Sequence, residues 1–408
     1  MKNSNSVAKS GGPGKIAIFF WDGYIGVSPS LINGIRVLSE AGYCIDIVTR
    51  DSIGFAEAPY FNSRVRIIRL PRLQLPSTVP FRSQLEYLLN TIEPLLFAAL
   101  GSFSLRANSY LCFIGVDMNG LLSATLIGFV RRVPVLYWSL EIVFSKEFSW
   151  MRDLPKRIYK RMEKICHRRA KFTIIQDQAR ARTLALENGV DCSNFIIVPN
   201  SPLGAPPNIS SDYFQSRFGL PSGKRIILHA GMIGPETLSL ELAQVAASWP
   251  NEWSLVLHER AKRDPAEPYL LEIQKKGNDH VLLSLDPVSY DELDFVISSG
   301  HIGLVMYNRN LGPNFSLVAG ASGKLAQYLR CGLPVVCVGL DSLKETVHGY
   351  KCGIVVEDIQ QIEGAITTIF SQYDLYRANA VRCYLEIFEF GPYFRNVVLR
   401  IQDLVKVF

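Results

Sequence analysis

Short runs rich in β-branched and aromatic residues recur along this chain, each followed by a stretch long enough for a helix. This alternation is the pattern of βαβ units around a parallel sheet. A first series comprises Ile16–Trp21, Ile45–Thr49, Val65–Leu70, Tyr110–Val116, Val133–Tyr137, Phe172–Ile175 and Phe195–Val198. The series then breaks at Pro199–Asn208, where four prolines and a glycine in ten residues oppose helix and central strand alike. A second series follows: Arg225–His229, Ser254–His258, Val281–Leu285, Ile302–Tyr307, Pro334–Val338 and Gly353–Val356, before a helical tail over Ile359–Phe408. At 408 residues the chain exceeds one ordinary hydrophobic core. Two doubly wound α/β domains are therefore expected, 1–205 and 206–408, with ligands in the cleft between them and the last helices free to pack back on the first domain.

A repeated phrase supports the pairing: Arg132-Val-Pro-Val-Leu136 and Gly332-Leu-Pro-Val-Val336 each follow a helical segment and open a buried strand. A hydrophobic fraction of 48% with 20% charged residues excludes a disordered chain. The eight cysteines form no CxxC pair and no zinc-like cluster, so they read as small buried hydrophobes in a reducing compartment. Met1–Gly14 is polar, and the apolar runs Ile16–Trp21 and Ile92–Leu105 are too short to span a bilayer, so a cytoplasmic protein is expected. A net charge of +6 permits an anionic partner without choosing one.

Two segments can carry phosphate chemistry. The first strand runs into Asp22-Gly-Tyr-Ile-Gly26-Val-Ser28-Pro-Ser30, where Gly23 and Gly26 allow close backbone approach and Ser28 or Ser30 could cap the following helix. In the second half, Ser322 and Gly323 can start a helix whose free amides face a phosphate, Lys324 adds charge, and Gln327 lies one turn on. An ordinary tight turn and an ordinary capped helix are the competing readings. Asp117 and Glu141 follow strands in the first half, and either could orient or deprotonate an acceptor hydroxyl. Over Arg152–Lys171, Lys156, Lys160, Lys164 and Arg168 fall on a repeating face, which could lie on an anionic membrane carrying a lipid-linked acceptor. No recognised nucleic-acid module accompanies the charge, so nucleic acid is not expected as a partner.

The segment Ala321–Val336 resembles the donor-site signature of family 4-like glycosyltransferases of the GT-B fold. Lys15-Ile-Ala-Ile-Phe19, Glu40–Thr49, Phe172–Gln176, Val198-Pro-Asn-Ser201, Ile226–Gly231 and Gly300–Val305 are similar to other parts of that family. The resemblance implies two Rossmann-like domains, the first for an acceptor and the second for a nucleotide-diphosphate sugar. It implies transfer of that sugar to a sugar or lipid-linked acceptor, with retention of configuration. No metal or cofactor is required by that arrangement, and no DxD motif is present. The family's pair of glutamates falls on Ala319 and Gln327, and the basic pair expected soon after Gly231 is missing from Met232–Thr237. Lys324, with Arg260 and Lys262, would then meet the phosphates, and Gln327 would face the ribose. A catalytically silent nucleotide-binding partner and a nucleotide-sugar epimerase of similar architecture are the alternative functions.

Overall fold

A computed structural model describes residues 13–51, 54–72, 82–105, 109–149, 153–308, 310 and 312–406. The terminus Met1–Gly12 and Arg152, both used in the sequence reading, lie outside the described residues. The first half builds a seven-stranded sheet from β1 (Lys15–Phe20), β2 (Cys44–Arg50), β3 (Val65–Leu70), β4 (Cys112–Val116), β5 (Val135–Trp138), β6 (Thr173–Ile175) and β7 (Phe195–Ile197). Its order is β3-β2-β1-β4-β5-β6-β7, with every pair parallel. The second half builds β8 (Arg225–Ala230), β9 (Trp253–His258), β10 (Val281–Ser284), β11 (Ile302–Val305), β12 (Val335–Val338) and β13 (Gly353–Val356). These run in the order β10-β9-β8-β11-β12-β13, also all parallel. Strands covered by helices on both faces must be apolar throughout. Accordingly Ile16 to Phe20 and Leu255 to Leu257 are without exposed surface.

In each sheet the strand order reverses beside the first strand, between β1 and β4 and between β8 and β11. A doubly wound sheet opens its ligand crevice at that reversal, beyond the carboxyl ends of the strands. The repeated phrase folds the same way twice. Helix Asp117–Arg131 ends with Arg132 at φ 57°, helix Gly323–Arg330 is followed by Gly332 at φ 73°, and both are left-handed turns. The N–H of Val133 then bonds Gly128 and that of Leu333 bonds Tyr328. Pro134 and Pro334 follow, and each offers its carbonyl to the adjoining strand, to Phe113 and to Gly303. A proline fits there because only its carbonyl is asked to bond.

The linker threads from β7 to the helix Tyr213–Phe218. Tyr384, in a π-turn of the tail, donates its hydroxyl to Gly204 and Pro202 of that linker. The final helix Phe390–Lys406 returns to the first domain, where Phe390, Phe394, Val397 and Ile401 join the core. Gly34 admits it: a Cβ there would stand 2.4 Å from the Trp138 ring and 2.8 Å from Phe394.

Two expectations need correction. Lys160 does not share an exposed face with Lys156 and Arg168; it is buried, bonded to Glu163 at 2.7 Å and to Asn188 at 2.8 Å. The face that helix Leu154–His167 does expose carries Leu154, Ile158, Arg161 and Ile165. The cysteines are not uniformly buried, since Cys44 is exposed and Cys192 and Cys331 are half-buried. Ile92–Leu105 falls mostly within the helix Arg82–Ser104, which contains Pro94. Among the described residues no helix is long and apolar enough to cross a membrane.

Candidate active site

A cavity of about 460 Å³ opens between the carboxyl ends of the two sheets. From the first domain Gly26, Pro29, Glu141 and Arg180 line it; from the second, Gly231, Arg260, Tyr290, Ser322, Lys324 and Gln327 do so. Sequence reasoning had singled out Gly26, Glu141, Gly231, Arg260, Ser322, Gly323, Lys324 and Gln327, and all eight line this one space. Gly23, Asp117 and Lys262 do not.

Two helix starts converge here. Ser322 caps the helix Gly323–Arg330 by accepting the Leu325 N–H, and Tyr307 bonds the same hydroxyl at 2.9 Å. The first-domain helix Pro29–Glu40 is not capped by Ser28, whose hydroxyl instead donates to the Tyr24 carbonyl. Asn200 of the linker takes that place: its side-chain carbonyl accepts from the N–H and the hydroxyl of Ser30. Its amide then donates to Ala321 at 3.1 Å, and its own N–H to Gly320. One linker residue thus holds both helix starts, each with its positive dipole end, against one cleft.

Lys324 stands at that junction. Its ammonium is buried, has no hydrogen-bond partner among the described residues, and lies 4.9 Å from the Tyr307 ring centre. Burial first, and the nearby Arg260 second, lower its pKa to about 7, against the opposing pull of Glu259. Gly231 lies against it at φ +122°, a backbone conformation that favours glycine, and a Cβ there would make only ordinary contact with the lysine, 3.5 Å from Cε and 3.7 Å from Nζ. Glu259, which sequence reasoning missed, is buried and fixes the following loop by accepting the Ile233 N–H at 2.9 Å. An unpaired buried cation costs several kcal/mol unless an anion meets it.

Gln327 lines the cavity on the next turn, yet its amide is committed. It donates to Asp294, whose second oxygen accepts from Arg330 at 2.6 Å. Arg180, also missed, is a fully buried guanidinium. It donates to the carbonyls of Leu140 and Leu317 and to the Gln176 side chain, so it bridges the two domains. Asn314 adds a second tie, exchanging two hydrogen bonds with the backbone of Ile142.

Asp117 has a structural place rather than a position in the cavity. At φ 54° it opens the helix Asp117–Arg131, and its carboxylate accepts the N–H groups of Leu140 and Glu141 at 2.7 and 2.9 Å. Burial, then the charges of Asp22 and Glu141, push its pKa well above the ordinary range, while those N–H bonds oppose the rise. Glu141 is the acid that reaches the cleft, with its side chain 64% exposed and 3.9 Å from Arg180. Lys262 is drawn off by an interdomain contact, in which its N–H bonds Gly54 and Ala261 pairs with Phe55. Gly23, at φ +90°, packs beneath the loop, where a Cβ would meet the Arg50 carbonyl at 2.7 Å.

Residues 271–401 match the family described as "Glucosyltransferase 3-like, C-terminal domain". No curated protein matches the chain by sequence. Among solved structures, sucrose-phosphate synthase from Thermosynechococcus elongatus superposes with a TM-score of 0.66 at 16% identity, covering 97% of this chain and 100% of that one. HepE from Anabaena, solved with UDP-glucose, gives 0.65 at 14% identity over 97% and 100%. WaaG, a glycosyltransferase involved in lipopolysaccharide biosynthesis, gives 0.59 at 13% over 95% and 99%. The chain thus carries the two-sheet GT-B fold of these glycosyltransferases, and within its second domain residues 271–401 match a glucosyltransferase C-terminal domain.

Proposed function

We propose that the chain transfers a sugar from a UDP-sugar to a sugar or lipid-linked acceptor, without a metal. The observation that carries this reading is the unpaired Lys324 ammonium between two helix starts, in a cleft of about 460 Å³. As the sugar leaves, charge develops on the diphosphate, and preorganised N–H groups with Lys324 and Arg260 would stabilise it there. The uridine choice rests on HepE, a similarly folded protein solved with UDP and with UDP-glucose. Retention of configuration rests on the family resemblance alone. Glu141 would orient the acceptor hydroxyl, with Asp117 holding the Glu141 backbone in place. UDP release from UDP-glucose and a panel of other UDP-sugars, measured with and without acceptor sugars, tests the assignment. Binding without any turnover would favour the silent-partner reading, and neither binding nor turnover would defeat both.

The acceptor side carries a second element of the proposal, a cytoplasmic protein resting on an anionic membrane. Leu154, Ile158 and Ile165 are half exposed along one basic helix, and Phe103, Phe129 and Val130, on helices of the same domain, are 79% to 88% exposed. Apolar side chains among arginines suit the lipid interface. Co-sedimentation with vesicles of phosphatidylglycerol, but not of phosphatidylcholine, is the expected outcome, and Phe129→Asp with Arg161→Glu should abolish it. Equal binding to both vesicles, or to neither, would remove the membrane from the account.

A further inference from the structure

We infer that Asp294 is a positioning residue that sets which end of the Gln327 amide faces the donor, and so makes the cavity select a ligand hydroxyl at that point. The inference rests on the donor reading above and deepens it.

An amide side chain can present either its carbonyl or its NH2 group, and the partner decides which. Here the partner is a carboxylate, which only accepts. Asp294 takes the Gln327 NH2 on one oxygen and the Arg330 guanidinium on the other at 2.6 Å, and Arg330 is itself anchored to the Ala205 carbonyl of the linker. Gln327 cannot turn its carbonyl toward Asp294 without setting two acceptors against each other. Its carbonyl oxygen is therefore the end left to the cavity that Gln327 lines. Gln327 lies three residues beyond Lys324 on one helix, hence on the same face and about one turn from the phosphate position. Further along the same wall stand Tyr290, Leu293 and Ile297, an aromatic and apolar slot for a base. The group between phosphate and base is the ribose, whose hydroxyls can donate to that carbonyl. The negative charge sits one residue behind the contact, on Asp294.

The arrangement can be inverted and restored. With UDP as the probe, Asp294→Asn should weaken binding about tenfold, because the new amide no longer dictates how Gln327 sits. The parent should prefer UDP to 2′,3′-dideoxy-UDP, and Asp294→Asn should lose most of that preference. In UDP-glucose turnover the change should appear in KM, with kcat held. Gln327→Glu alone puts two carboxylates face to face and should weaken binding in a way that recovers as pH falls. The double variant Gln327→Glu with Asp294→Asn rebuilds one acid and one amide in reversed order, and should bind UDP within about threefold of the parent. A merely structural Asp294 would make the double variant worse than either single one. That result, or an Asp294→Asn protein that keeps parental affinity and preference, overturns the inference. A parent that does not bind UDP overturns the donor reading itself and takes this inference with it.

Discussion

Two lysines with buried ammonium groups show how differently the two halves of this molecule use a charge. Lys160 is 2% exposed and fully answered: Glu163 accepts from it, Asn188 accepts from it, and Asn188 and Tyr137 in turn bond Glu163. The network runs on through His167 to Thr173, and burial of that imidazole lowers its pKa to about 4. The Lys324 ammonium is also buried, lies against the Tyr307 ring, and has no hydrogen-bond partner among the described residues. A satisfied buried charge holds elements together, whereas an unsatisfied one at a cleft marks where a ligand supplies what the fold withholds.

The sharpest way to break this comparison is to neutralise each lysine in turn. Lys160→Met would strand the Glu163 carboxylate in the core and should destabilise the protein by ~3–5 kcal/mol in urea unfolding. Lys324→Met should do the opposite and stabilise the ligand-free protein by ~2 kcal/mol at pH 6. The sign follows from linkage: with a folded pKa of about 7, below its unfolded value, the lysine gives up its proton on folding between those values. Parental stability should therefore rise as pH climbs above 7, and the advantage of Lys324→Met should shrink in step. A smaller effect is expected in binding. UDP-glucose affinity should be flat below about pH 7 and fall by up to ~1.4 kcal/mol per pH unit above it, since binding must then carry in a proton. Lys324→Arg should flatten that profile, because arginine does not titrate there. The smallest effect tests the neighbour: Arg161→Ala, one residue from Lys160 but exposed, should change stability by less than ~0.5 kcal/mol.

The contrast also measures what could be read from sequence. The sheets were legible because the central strands are buried on both faces and several runs are bounded by glycine or proline, as in Gly332-Leu-Pro-Val335. The Lys324 helix start was legible because a cap, a glycine and a lysine stand together in the chain. Lys160 was misread because helical spacing places it with Lys156 and Lys164; its burial depends on Asn188, 28 residues away on another helix. Arg180, Glu259 and Asp294 gave no local signal, since each also reaches a partner 26 to 137 residues distant that the local sequence does not show. Asn200 lay in a phrase already noted for its resemblance, Val198-Pro-Asn-Ser201, yet its role needs Ser30 and Ala321 brought together from both domains. Asp117 was read as an acid free to act, because nothing in the sequence shows that two backbone N–H groups from beyond β5 would occupy it.

The central claim is that Lys324 is left unpaired to receive a nucleotide diphosphate. A calorimetric titration of the parent and of Lys324→Met with UDP at pH 8 tests it most directly. The account predicts that the parent binds UDP with net proton uptake, and that Lys324→Met, although the more stable protein, loses at least about tenfold in affinity and takes up no proton. A Lys324→Met protein that binds UDP as tightly as the parent would contradict it.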